Sequence, residues 1–111
     1  MDTTAVFQTI NASITVSDKE GRLLYMNDAS KAVFGDKVGQ SMLPCHQPRS
    51  QEIIRQLLEE GGTHAYTIQK GEVRKLIYQT PWYENGEVAG LVELSLVLPE
   101  EMPHYVREVK K

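Results

Sequence analysis

Residues 17–35, SDKEGRLLYMNDASKAVFG, leave the chain few ways to fold. Asp18 and Gly21 make a turn, because Asp bonds its own backbone and Gly accepts positive φ. Residues 22–26 then read as a short strand. Asn27 and Asp28 are both competent helix N-caps, and Ala29, Ala32 and Val33 follow at helical spacing. Gly35 stands where a left-handed C-cap belongs. Turn, strand, cap, helix and stop follow one another without slack.

The rest of the chain must fit around that unit. At 111 residues it is long enough for one core without staples. With 41% hydrophobic and 24% charged residues it should fold rather than stay disordered. A formal net charge of −3, with only Lys110 and Lys111 clustered, argues against a nucleic-acid partner. Cys45 is the single cysteine, which excludes an internal disulfide and fits a reducing compartment. The N-terminus has no basic region followed by a long apolar run, and no segment approaches the ~20 apolar residues of a membrane span. The expectation is a soluble cytoplasmic protein with no membrane partner.

Behind Asp2 and Thr3, Val6, Phe7 and Ile10 make the apolar face of a short N-terminal helix over residues 1–11. A first strand covers 12–16. Gly39 opens an irregular section with Pro44 and Pro48, after which Ser50 is the expected cap of the main helix, to about residue 60, burying Ile53, Ile54, Leu57 and Leu58. Gly61 and Gly62 stop it. Strands over 64–69, 73–83 and 87–98 follow, joined at Lys70-Gly71-Glu72 and at Asn85-Gly86, the latter a strong two-residue hairpin signal.

This order, with the phrase "D..G.i.y.N.a....fG" over residues 18–35, Val38-Gly39-Gln40, and Asn85-Gly86-Glu87-Val88-Ala89-Gly90, resembles a PAS domain over residues 10–98. The resemblance implies an α+β fold: a curved five-stranded antiparallel sheet, order 2-1-5-4-3, with short helices on its concave face. One domain then fills residues 1–111, as an N-terminal helix (1–11), a PAS core (12–98) and a C-terminal tail (99–111). PAS domains are sensors and docking modules far more often than enzymes.

The last strand alternates Val88, Gly90, Val92, Leu94 and Leu96 with Ala89, Leu91, Glu93, Ser95 and Val97. The first set is uncharged and is expected to face the helices. Alignment with the PAS pattern turns Ile77 and Gln79 inward, and Tyr66 and Ile68 form the apolar pair of the third strand. The expected ligand pocket is therefore Ile53, Ile54, Leu57, Tyr66, Ile68, Ile77, Gln79, Val92 and Leu94. The competing reading is a dry core, with Gln79 either needing a buried partner or, one register away, facing solvent. Leu91 and Val97, with Tyr78 and Trp82, would leave an apolar outer face. Soluble monomers rarely leave such a face open. Val6, Phe7 and Ile10 would cover it in the same chain or across a homodimer.

Cys45 and His46 are the remaining chemistry. Adjacent side chains diverge, and no third residue orients the imidazole as a nucleophilic triad requires. A zinc site wants four ligands, and only His64 and His104 could add to the pair, so no metal site is expected. Haem-binding PAS sensors use a histidine in the longer helix, which here has none; His46 precedes that helix and would reach a cavity if the Pro44–Pro48 segment folds inward. Flavin-binding PAS photoreceptors carry a reactive cysteine in "GxNC", which here aligns with Gly39-Gln40-Ser41-Met42, so flavin is not expected. Cys45-His46-Gln47-Pro48-Arg49-Ser50, Pro81-Trp82 and Pro103-His104-Tyr105 resemble small bacterial PAS proteins carrying "CHPP.S", "PW" and "P...PHF.R". Two readings stand: a helix-entry contact with His46 bonding backbone, or contact of Cys45 and His46 with haem or another ligand.

In the tail, Met102, Tyr105, Val106 and Val109 keep helical spacing, but Pro103 interrupts it. No output domain is expected, and the tail should fold back on the domain or across a dimer. The overall expectation is a stand-alone PAS module of signal transduction, not an enzyme. It would sense or dock through a core ligand of unspecified identity and a separate signalling protein; the alternative is a haem-based gas or redox sensor using His46.

Overall fold

Several elements of the chain are closed by a side chain or glycine suited to end them. The computed structural model describes residues 1–109. It contains α1 (Thr3–Thr9), β1 (Ser13–Asp18), β2 (Leu23–Met26), α2 (Asp28–Phe34), a 3-10 turn (Leu43–Cys45), α3 (Pro48–Glu60), β3 (His64–Lys70), β4 (Val73–Glu84) and β5 (Glu87–Val97). Asp18 makes the first turn, its Oδ1 accepting from the backbone N–H groups of Glu20 and Arg22 at 3.0 and 2.9 Å. Asn27, fully buried, is the cap of α2. Its Oδ1 accepts from the N–H of Ser30 (3.0 Å) and Ile14 (2.9 Å), while Nδ2 donates to the carbonyls of Phe7 and Ala12. One amide thus ties α1, β1 and α2 together with all its capacity satisfied.

The main helix begins two residues before the expected Ser50 cap. Gln47 is the N-cap and Pro48 opens the first turn, where its fixed φ and missing N–H cost nothing. Ile54, Leu57 and Leu58 are buried and Ile53 packs against them. Beyond Glu100, whose carbonyl accepts from Arg74, residues 101–109 are non-helical and exposed. Residues 101–109 of the tail do not fold back on the domain.

The five strands pair antiparallel in the order β2-β1-β5-β4-β3. Asn85 and Gly86 both take positive φ (53° and 79°), as a two-residue hairpin between β4 and β5 requires. Pro81 lies beyond the last residue of β4 that β3 pairs, so its missing N–H breaks no ladder bond on that side.

One irregularity decides what the sheet faces. Tyr83 pairs with Val88 but Trp82 pairs with Gly90, leaving Ala89 as an extra residue on β5. Such a bulge shifts register by one, and every later side chain changes face. Gln79 therefore stands opposite Glu93 and Ile77 opposite Ser95. Without the bulge their partners would be Val92 and Leu94, as strict alternation from the hairpin predicts. Leu91, Glu93 and Ser95 thus face α3 and α2, and Val92 and Leu94 lie on the opposite face. Gly90 is needed here: a Cβ would come 1.9 Å from the Ser17 carbonyl oxygen, to which the Trp82 indole N–H donates across it at 2.9 Å.

The core, between α3, β2 and the inner sheet face, is Leu23, Met26, Met42, Ile54, Leu57, Leu58 and Leu91. Leu91, at 2% exposure, is a core residue and not part of an outer patch. Val97 shares its alternation and, near the end of the strand, is exposed.

Candidate functional site: a polar-floored cavity

Between the inner sheet face and α2 lies a cavity of about 490 Å³. Its floor is Thr15 of β1, Tyr66 and Ile68 of β3, Ile77 of β4 and Glu93 of β5. Leu23 and Met26 of β2, Val33 and Phe34 of α2, and Lys37, Met42 and His46 from the following segment complete the walls. The size suits a small organic molecule, and the mixture of apolar walls with a few polar groups is that of a ligand site.

The floor is organised by a chain of hydrogen bonds. The Gln79 side chain is 2% exposed. Its Oε1 accepts from His64 Nδ1 at 3.2 Å, and its Nε2 donates to Glu93 Oε1 at 3.1 Å. The amide is thus oriented from both ends, and it presents the Glu93 carboxylate to the cavity. Beside it, burial first and the negative charge of Glu93 second push the Tyr66 phenol above its ordinary range, so the phenol stays protonated and able to donate. Thr15 Oγ1 is engaged with Ser30 Oγ at 2.6 Å, which joins the floor to α2.

His46 reaches this cavity because the 3-10 turn brings the Pro44–Pro48 segment inward. Its Nδ1 lies 2.9 Å from the Met42 carbonyl oxygen. A carbonyl only accepts, so Nδ1 carries the proton; in the neutral ring Nε2 keeps the lone pair. The Cys45 side chain lies outside the described residues. Among those described, no group of three or more His, Cys, Asp or Glu residues could hold a metal ion.

The structure sorts the expected pocket residues into three sets. Tyr66, Ile68 and Ile77 line the cavity, with His46. Ile54 and Leu57 lie in the core, Ile53 packs against it, and Gln79 stands behind Glu93. Val92 and Leu94 are corrected to the other face, where the Ala89 bulge sends them. They join Ile14, Val16, Tyr25 and Phe7 around an outer groove of about 520 Å³. Sequence reasoning missed Glu93, Thr15, Lys37 and the α2 walls. A lone carboxylate in the apolar run Leu91-Val92-Glu93-Leu94 is the available signal, although strict alternation from the hairpin puts it on the outer face.

Of the expected dimer residues, Val6 and Phe7 of α1, Ile10 just after it and Tyr78 of β4 are exposed. Trp82 is half-buried over Gly90 with its indole N–H bonded within the chain. Among the described residues no helix is long and apolar enough to cross a membrane.

A family model described as "PAS fold" matches residues 7–101. No match exists among curated proteins. Among solved structures, the PAS domain of the histidine kinase ThkA superposes with a TM-score of 0.64 at 16% identity, covering 78% of this chain and 99% of that one. The Vibrio cholerae VqmA dimer, a LuxR-type receptor, gives 0.68 at 17% identity, over 97% of this chain and 57% of that one, so this chain spans little more than half of VqmA. The Aer2 receptor from Vibrio cholerae, described as a dual PAS-haem oxygen sensor, gives 0.62 at 16% identity over 80% of this chain and 96% of that one. These likenesses concern the fold. Sheet order and the match over residues 7–101 agree, and the chain belongs to the PAS-fold family.

Proposed function

We propose that this chain is a non-catalytic sensor module that holds a small molecule in the cavity between the sheet and α2, and reports its presence through the outer sheet face to a second copy of the chain and to a signalling partner. The observation that carries the reading is the cavity itself. Its apolar walls surround a polar floor whose orienting groups are already bonded, an arrangement that serves recognition better than packing. Glu93 faces the cavity while its neighbours Val92 and Leu94 face the outer groove. A ligand that shifts β5 changes both faces at once, and so shifts the population of an interface.

Native mass spectrometry of the freshly purified protein, with thermal-shift screening of a metabolite library, tests the proposal. A bound small molecule or a saturable rise in Tm is expected, abolished by Ile77→Trp, which fills the cavity. Neither a bound mass nor any stabilising compound would sink it.

A second reading is a haem sensor using His46. The Nδ1–H bond to the Met42 carbonyl favours it, since ligating histidines commonly donate their other N–H to such a group. Titration with haemin should then give a shifted Soret band that His46→Ala loses. An unshifted band in the wild-type protein would remove this reading and leave the first intact.

A further inference from the structure

We infer that the cavity selects ligands bearing an amine, placed against Glu93, on an apolar body. The inference rests on the ligand-binding reading above and names the chemical class. Glu93 sits mid-strand on the inner face, flanked across the ladder by Thr15 and Gln79. A carboxylate in such a place costs free energy unless it is bonded. Its one hydrogen bond among the described residues is at Oε1, from Gln79. Thr15 Oγ1 is bonded to Ser30 Oγ at 2.6 Å, away from Glu93. No bond to Oε2 is found among the described residues, so the carboxylate keeps acceptor capacity, and Glu93 lines the cavity.

An ionised carboxylate accepts and never donates. It bonds ammonium or N–H groups with charge-assisted strength and repels a second carboxylate. The other ionisable groups on the walls do not reverse this preference. Lys37 is already engaged within the protein. His46 directs its Nδ1–H at a backbone carbonyl, so in the neutral ring it adds an acceptor. Tyr66, protonated, can donate to the ligand or to Glu93. The walls that remain, including Leu23, Met26, Phe34 and Ile68, ask for an apolar body.

Three probes with one ring and different side-chain charge separate this inference from the reading beneath it: indole, tryptamine and indole-3-propionate. Each is titrated into ¹⁵N-labelled protein, and the amide shifts of Thr15, Ile77 and Glu93 are followed. Tryptamine should bind at least about tenfold more tightly than indole-3-propionate, the factor expected for one charge-assisted bond. Glu93→Gln, which keeps an oxygen for Gln79, should bring the two within about twofold. If indole binds but the propionate matches tryptamine in the wild-type protein, the amine preference is overturned and the cavity reading stands. A preference that survives Glu93→Gln also overturns the inference, because another group then makes it. Should none of the three perturb the cavity amides, the inference falls, while the cavity reading stands or falls by the mass-spectrometric and thermal-shift result above.

Discussion

The two faces of the sheet reverse the usual arrangement. The face toward the helices carries Ser13, Thr15, Ser17, Gln79, Glu93 and Ser95 among its side chains. The other carries Ile14, Val16, Val92, Leu94, Leu96 and Tyr78, several of them half-buried or exposed. Hydrophobic residues inside is a one-way rule, so the informative residues are the buried polar ones and the clustered exposed apolar ones. Here the first set marks a binding floor and the second marks a surface to be covered.

The comparison can be broken most directly at β5. Leu91→Ala should cost about 2–5 kcal/mol in urea unfolding, because Leu91 belongs to the inner core. A cost equal to that of Leu94→Ala would show that the bulge does not set the faces. Gln79→Leu tests the floor. Removing a buried amide bonded at both ends should cost ~1–3 kcal/mol, and the cost should shrink when Glu93→Gln is already present.

Leu94→Asp probes the outer face and should lower unfolding stability by only about 1 kcal/mol. Its main effect should be on assembly: sedimentation should report a dimer for the wild-type protein at micromolar concentration and a monomer for the variant. A wild-type monomer would remove the outer face as a self-interface.

The smallest expected effect is a pH dependence. Burial first, and then Glu93, raise the folded pKa of Tyr66 above the ordinary phenol value of 10.0. The folded state therefore holds the phenolic proton more tightly than the unfolded state does. That contribution is complete below about pH 10 and is lost as pH rises through the higher folded value. Between pH 9 and 11 the wild-type protein should lose more stability than Tyr66→Phe, in equilibrium urea unfolding at each pH. Parallel curves for the two proteins would mean that the phenol feels neither burial nor the carboxylate.

Much of the frame was legible because it is local. Asp18, Asn27, Gly35 and Asn85-Gly86 act on their own or adjacent backbone, so their residue types alone announce turns, caps and hairpins. Tyr66 and Ile68 could be read as an apolar pair from spacing within one strand, and Ile77 followed from the resemblance to the PAS pattern. The site was less legible. Glu93 looked like a solvent residue because charge is normally exposed, and Val92 and Leu94 looked internal because they are not charged. Nothing in their own types announces a bulge upstream. The clue was Gly90, but a glycine in a strand signals close approach without saying to what.

The sequence by itself determined the elements, their order and the family, since these follow from interactions a few residues apart. Only the tertiary structure decided which face of β5 meets the cavity. The pairing of Trp82 with Gly90, held by an indole bond to Ser17 from a distant strand, inserts Ala89 as an unpaired residue. With a side-chain period of two, that single insertion exchanges inside for outside along the rest of the strand. It turns a carboxylate toward the ligand space and a row of aliphatic side chains toward whatever the outer face meets.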